Sequence, residues 1–272
     1  MKEKVNILIS VYDKEKPEYL DLSLRSIECQ TLKEFKLILV EDGALNEELR
    51  YIVRMHKDFL DDRMEIIKMP KNIGLAGALN RGLNRCNAQY IARMDSDDVM
   101  VKTRLEKQFL YLESNKNIDV VGSNILEIDE NANPLRVVRY PSTHKECRKM
   151  FVFRDCFAHP AVMFRKTFFD DVGNYSEKHK NKNKNEDTNL WFRGFMAGKT
   201  YANIQEVLLL YRRTEDFYSR RVGLSRAINM ARDRLIINKE MKYGIRGYFF
   251  IFVRFILNLL PKNILKQLYK MR

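Results

Sequence analysis

The sequence predicts an α/β fold, a central sheet covered by helices on both faces, followed by a basic helical tail. Three observations predict it. Apolar β-branched runs alternate with helically spaced runs through the first hundred residues. Three of the predicted strands end in clusters of polar residues. The excess positive charge collects at the C-terminal end.

Val5 to Val11 is apolar and β-branched, and reads as a first buried strand. Pro17 to Cys29 places Leu20, Leu24 and Ile27 on one helical face. Phe35 to Val40 is a second strand, ending at Glu41-Asp42-Gly43. Asn46 to Leu60 is helical and Met64 to Met69 is a third strand. Leu75 to Arg85 is a helix with Leu75, Ala78, Leu79 and Leu83 on one side. Tyr90 to Met94 is a fourth strand, ending at Asp95. Strand and helix in alternation give a parallel sheet with helices on both faces.

Beyond Asp98 the spacing predicts a helix over Lys102–Ser114, a strand over Asp119–Glu127 and a turn at Asn131–Pro134. Further helices are expected over Ser142–Val152 and from Glu186 to Met196. Strands are expected at Ala161–Phe164 and Glu206–Tyr211. Lys178 to Asn185 alternates Lys, His and Asn without periodicity and reads as a mobile loop. From Val222 onward the chain is mostly helical. The predicted organisation is a first half at 1–98, a second half of the same domain at 99–216 and a basic amphipathic helical tail at 217–272.

The chain has 272 residues and a formal charge of +13. From Phe217 to Arg272 there are 13 basic residues against Asp233 and Glu240, so this stretch carries nearly the whole imbalance. A basic tail on a near-neutral body points to a polyanion or an anionic membrane surface. Nucleic acid is disfavoured, because the tail carries no recognisable binding motif. The four cysteines form no CxxC pair, which argues against a zinc site or a disulfide framework. The first apolar run is too short for a signal peptide. No run of about 18 apolar residues is present to span a membrane.

In parallel sheets, ligands bind beyond the carboxyl ends of the strands. Ser10-Val11-Tyr12, Glu41-Asp42 and Asp95-Ser96-Asp97-Asp98 all fall at such ends. Clustered carboxylates repel one another unless a cation compensates them, and oxygen ligands suit Mn²⁺ or Mg²⁺. The plainer alternative is an acidic helix start. Tyr12 could stack on a base and Asp42 could accept a base N–H, or both could belong to ordinary turns. Asn72-Ile73-Gly74 before a helix offers backbone N–H groups to a phosphate. Glu186 and Asp187 open a helix after the polar loop. A carboxylate there could serve as general base, with Trp191 stacking on a sugar. Alternatively, these are an acidic first turn and a core tryptophan.

Six segments in order resemble the family-2 glycosyltransferases. They are ISVYD at Ile9–Asp13, VEDGA at Val40–Ala44, NIGLAGALNRGL at Asn72–Leu83, ARMDSDD at Ala92–Asp98, HPAVMFRK at His159–Lys166 and EDTNLWFR at Glu186–Arg193. The resemblance covers about the first 215 residues. It implies the GT-A fold, Rossmann-like with a mixed central sheet, and an inverting transfer from a nucleotide sugar, with UDP as the expected nucleotide. By resemblance Ser10, Val11, Tyr12 and Asp42 hold the nucleoside, and Asn72 and Ser96 fall on the donor side. Asp95 contacts ribose or metal, Asp97 ligates the metal and Asp98 is a second choice. Asp187 is the base, while His159, Glu186 and Trp191 line the acceptor side. Many members carry Tyr-Arg-x-His after the last strand. Here Tyr211-Arg212-Arg213-Thr214 lacks the His, which leaves Arg212, Arg213 or the Arg220-Arg221 pair to hold the diphosphate. The implied acceptor is a saccharide, lipid-linked, met at the cytoplasmic face of the inner membrane by a peripheral enzyme.

Tyr248 to Leu260 is an aromatic-aliphatic run flanked by Arg246, Lys262, Lys266 and Lys270. It suits a helix lying in an anionic leaflet, or a helix packed on the core or on a partner. Two rivals remain at this level. A nucleotidyltransferase would show a Gly-rich basic loop near the first strand, and none is here. A membrane-surface scaffold with a degenerate site would bind or hydrolyse no donor.

Overall fold

The computed structural model describes residues 3–177, 185–214, 217, 222–264 and 267. The polar stretch 178–184 and the Arg220-Arg221 pair lie outside the described residues. In chain order the strands are β1 (Val5–Val11), β2 (Phe35–Glu41), β3 (Met64–Lys68), β4 (Tyr90–Arg93), β5 (Val99–Met100), β6 (Val120–Ile128), β7 (Pro134–Val138), β8 (Met163–Arg165) and β9 (Tyr201–Arg212). The helices are α1 (Pro17–Glu28), α2 (Glu47–Leu60), α3 (Leu75–Leu83), α4 (Arg104–Ser114), α5 (His144–Met150), α6 (Thr167–Val172), α7 (Glu186–Met196), α8 (Leu224–Met241) and α9 (Ile245–Leu259).

The strands form one mixed sheet in the order β3-β2-β1-β4-β8-β6-β9-β5, with β7 paired to β6. β3, β2, β1 and β4 are parallel. β8 runs antiparallel to both β4 and β6, and β9 returns parallel to β6. The strand pleat explains the two cores. Val5, Ile7, Ile9 and Val11 point to one face, with Leu37 and Leu39, and meet Leu20, Leu24 and Ile27 of α1 and Leu49 and Val53 of α2. Leu8, Ile38 and Val40 point to the other, where α3, α7 and α8 cover them with Leu79, Trp191 and Ile237 among others. On that second face α3 lies very close to the sheet. A Cβ on Gly82 would fall 2.2 Å from Leu8 Cδ1 and 3.0 Å from Val40 Cγ2, so a larger residue there would force the core side chains beneath it to shift.

Side-chain caps mark two helix starts. Asn46 accepts the Leu49 N–H at 2.9 Å ahead of α2, and Thr143 and Glu146 form a reciprocal capping box at α5. The basic tail divides in two. α8 is docked on the body, with Ile237 and Met241 in the second core. α9 packs back on α8, where Gly247 sits against Asn238, but its other side is open: Phe249 is 61% exposed and Phe252 64%. No described helix is long and apolar enough to cross a membrane.

Candidate active site

The parallel strands β1, β2 and β4 end on one rim, and the polar segments that follow them meet there. Beyond β2, Gly43 takes φ +94°, and a Cβ there would lie 2.9 Å from the Asn72 nitrogen. This brings the Asn72 loop against Asp42. The Asp42 carboxylate accepts the Ile73 N–H at 2.7 Å and the Gly74 N–H at 3.0 Å. Asn72 Nδ2 donates to the Asp42 carbonyl at 3.2 Å. Asp42 and Asn72 therefore fix the start of α3, and a base would have to use the remaining lone pairs of Asp42. Val11 is fully buried, so only its backbone faces the rim, and its carbonyl already accepts the Asp42 N–H at 2.8 Å. Ser10 is partly buried and Tyr12 exposed.

Beyond β4 the chain turns through Asp95-Ser96-Asp97-Asp98. One carboxylate oxygen from each of Asp95, Asp97 and Asp98 lies within 4.8 Å of the others. Asp98 is fully buried; its Oδ1 accepts the Arg212 N–H at 2.8 Å, while its Oδ2 has no hydrogen-bond partner among the described residues. Burial pushes its carboxyl well above the usual range, and Asp97 and Asp95 push it the same way. An all-oxygen cluster with a buried, unpaired oxygen fits a hard divalent cation. The Ser96 hydroxyl donates to Glu15.

The two arginines expected at the diphosphate are differently employed. Arg212 donates from Nε to the Asp97 carbonyl at 2.9 Å and from Nη1 to the carbonyls of Asp129 and Glu130, both at 3.2 Å. Its guanidinium stacks 4.1 Å over Tyr19. It clamps the acidic turn from below. Arg213 pairs with buried Glu127 at 2.6 Å and stacks on Phe217. This corrects the expectation for Arg213: a buried, paired guanidinium does not reach out to a phosphate.

Asp187 lies in the first turn of α7, where its Oδ1 accepts the Thr188 N–H at 2.7 Å. It keeps some accessible surface, yet protein crowds it. Burial pushes its carboxyl up to about 7, with Asp155 and Glu186 adding to the rise. Glu186 is partly exposed beside it. His159 is buried, its Nε2 2.8 Å from the Tyr175 hydroxyl. Burial holds it well below its ordinary value, and Arg93 presses the same way, so the imidazole is neutral.

Trp191 is corrected outright. It is 0% exposed, stacked on Phe164 at 5.7 Å and packed against Phe157 at 4.9 Å. It belongs to the core, not to the acceptor surface.

The residue that sequence reasoning missed is Arg93, the last residue of β4. It is 1% exposed and pairs through Nη2 with Asp95, while Nε and Nη1 have no partner among the described residues. It opposes the rise of the carboxyls of both Asp98 and Asp187. The acidic turn and the α7 carboxylate thus share one buried cation. The available signal was a charged residue inside an otherwise apolar four-residue strand.

The family model for glycosyl transferase family 2 matches residues 6–173. The amylovoran biosynthesis glycosyltransferase AmsE of Erwinia amylovora is 33% identical over 97% of this chain and 97% of its own length. A UDP-Gal:alpha-D-GlcNAc-diphosphoundecaprenol beta-1,3-galactosyltransferase of Escherichia coli is 28% identical over 98% of this chain and 95% of its own. Among solved structures, a mannosyltransferase of Pyrobaculum calidifontis, crystallised with GDP-Man and Mn²⁺, superposes with a TM-score of 0.65 at 11% identity, covering 93% of this chain and 73% of that one. The last shows the fold, a GT-A sheet; the family model and the first relative show that this chain belongs to glycosyl transferase family 2.

Proposed function

We propose that this chain transfers a hexose or N-acetylhexosamine from a UDP sugar to a lipid-linked saccharide, with inversion, during synthesis of a surface polysaccharide. The observation that carries the reading is that buried Arg93 pairs with Asp95 of the acidic turn and also favours the charge of Asp187. The relatives support the pathway class and the acceptor, since one is named for amylovoran synthesis and another for a diphosphoundecaprenol acceptor.

Asp95, Asp97 and Asp98 would hold Mn²⁺ or Mg²⁺, with Arg93 paired to Asp95 and Arg212 holding the turn in shape. When bound, the cation neutralises the diphosphate and stabilises the leaving group. The chain's own residues do the rest. Tyr12, exposed just beyond the end of β1, would offer its face to the base. Asp187 takes the proton of the acceptor hydroxyl as that oxygen bonds to the anomeric carbon and the bond to the diphosphate breaks. A carboxyl near 7 suits this task, because it is both available as base and basic enough to draw the proton. Neutral His159, paired with Tyr175, lines the acceptor side with Glu186.

α9 supplies the membrane contact. Ile245, Phe249, Phe252, Ile256 and Leu259 recur at helical spacing and are all exposed. The segment 245–264 carries no acidic residue. Such a face suits a helix lying in an anionic leaflet, at the cytoplasmic side where nucleotide sugars are found.

A panel of UDP sugars and GDP-mannose, incubated with full-length protein and Mn²⁺, tests the reading through release of the nucleoside diphosphate. Release from at least one UDP sugar, abolished by excess EDTA, is expected. Full release in EDTA would remove the metal, and neither binding nor release across the panel would remove the transferase.

A further inference from the structure

α8 reaches the start of α7 at two points. Asp233 accepts from Asn185 Nδ2 at 3.0 Å, one residue before the helix begins. Arg234, almost wholly buried, donates from Nη2 to Asp155 Oδ1 at 2.8 Å and from Nη1 to the Phe151 carbonyl at 2.7 Å. The guanidinium also stacks on Phe151 at 4.9 Å. The other oxygen of Asp155 accepts the Thr188 hydroxyl at 2.8 Å. Thr188 in turn gives its backbone N–H to Asp187 Oδ1 at 2.7 Å. The connection is unbroken: Arg234 to Asp155, Asp155 to Thr188, Thr188 to Asp187.

We propose that Arg234 is a positioning residue for Asp187: through Asp155 and Thr188, the docked tail helix sets both the orientation and the charge environment of the catalytic carboxylate. The proposal rests on Asp187 being the base. Two physical effects act along the connection. Asp155 locks the Thr188 hydroxyl and so holds the first turn of α7, whose N–H fixes one oxygen of Asp187. Arg234 also neutralises Asp155, which otherwise presents a second negative charge to Asp187. The groups facing Asp187 are Glu186 on its own helix, Asp155 after α5, Arg93 at the end of β4 and Tyr175 after α6, with Arg234 and Asp233 behind them on α8. Of the charged partners that can be altered without touching the acidic turn, Arg234 and Asp155 form a matched pair with opposite signs.

The sign of each change follows. Without Arg234, the full charge of Asp155 disfavours the ionised form of Asp187, and its titration moves up. Without the charge of Asp155, the titration moves down. A nearby charge commonly shifts a carboxyl by about one unit or more.

The test is a ¹³C-carboxylate NMR titration of full-length protein, with the Asp187 resonance identified by its loss in Asp187→Asn. The wild-type carboxyl should titrate near 7. Arg234→Gln should raise it by about one unit and Asp155→Asn should lower it, while Arg234→Lys, which keeps the charge, should return it toward wild type. A mere packing role for Arg234 would lower the melting temperature of Arg234→Gln without moving the titration, and that result overturns the proposal. Should Arg234→Gln not fold, Asp155→Asn and Arg234→Lys decide alone: an unmoved titration in Asp155→Asn overturns it. The base reading is scored separately, by nucleoside diphosphate release in Asp187→Asn. Undiminished release there refutes the base and leaves the measured coupling standing.

Discussion

Asp98→Asn should make the apo protein more stable and at the same time remove its response to metal. The substitution keeps an oxygen for the Arg212 N–H, so the bond of 2.8 Å survives. What changes is charge. Ionised carboxylate oxygens within 4.8 Å of one another repel by about 3 kcal/mol or more per pair at an effective dielectric of about 20. Asp98 takes part in two such pairs, with Asp95 and Asp97, and gives back part of this through its weaker attraction to Arg93. At a pH high enough to ionise the raised Asp98 carboxyl, where the comparison is made, the net relief is about 3 kcal/mol. For a chain of this size about 2 °C follows from each kcal/mol, so the apo variant should melt about 5–6 °C above wild type. Wild type should recover the same ground with Mn²⁺. A ligand at 100 times its dissociation constant stabilises by about 2.7 kcal/mol, again about 5 °C. Differential scanning fluorimetry of both proteins, each with excess EDTA and with Mn²⁺, reads all four values. Equal Mn²⁺-induced rises in the two proteins would refute the assignment of Asp98 to the cation site. An apo variant less stable than apo wild type would refute the argument from repulsion.

Other expectations follow from the same geometry. Asp187→Asn should lower kcat by roughly 10²–10⁴-fold with donor affinity retained, as measured by transfer kinetics and calorimetry. Because the ionised form is the base and the carboxyl is pushed up to about 7, wild-type kcat should rise with pH through that value and level off above it. Phe249→Ser with Phe252→Ser removes two exposed rings, each able to contribute about 1.5–3 kcal/mol on burial. Co-sedimentation with anionic vesicles should fall by at least tenfold, without change in melting temperature; unchanged binding would turn α9 into a packing or dimerisation surface. Trp191→Ala should destabilise by about 3–5 kcal/mol, whereas Trp191→Phe should keep kcat and acceptor KM near wild type. A selective rise in acceptor KM in the folded Phe variant would return Trp191 to the acceptor side.

The first four strands were legible because their cause is local. Val5–Val11 has a run of apolar β-branched residues, and the structure begins and ends β1 at those residues. The rim was legible too, since polar residues directly after buried strands have few other uses. The central sheet beyond β4 was harder. β7 exposes Pro134, Leu135 and Val137 and carries a proline at its start, so its sequence reads as the tail of a turn. β5 has two residues and exists only because β9 lies alongside. Trp191 misled because a tryptophan beside two acidic residues fits a sugar platform as well as a core; only the surrounding Phe157, Phe164 and Tyr201 decide it. The Arg234–Asp155 pair spans 79 residues and leaves no local trace.

Arg212 also sets an order of events during synthesis. Its backbone nitrogen and side chain hold Asp98 and the Asp97 carbonyl, groups more than a hundred residues earlier in the chain. Every segment that resembles a nucleotide contact is made before residue 99, yet the acidic turn lacks its Arg212 clamp until β9 arrives. At about 5–20 residues per second, the 114 residues between the partners take roughly 6–23 s to emerge. During that interval Arg93 holds Asp95 and Glu15 holds Ser96, but Asp98 and the Asp97 carbonyl lack their Arg212 partner, and a fragment ending at Asp98 would stay in that condition. The first half is therefore not a portable donor-binding cassette: grafting it onto another protein would require bringing β5, β6 and β9 with it.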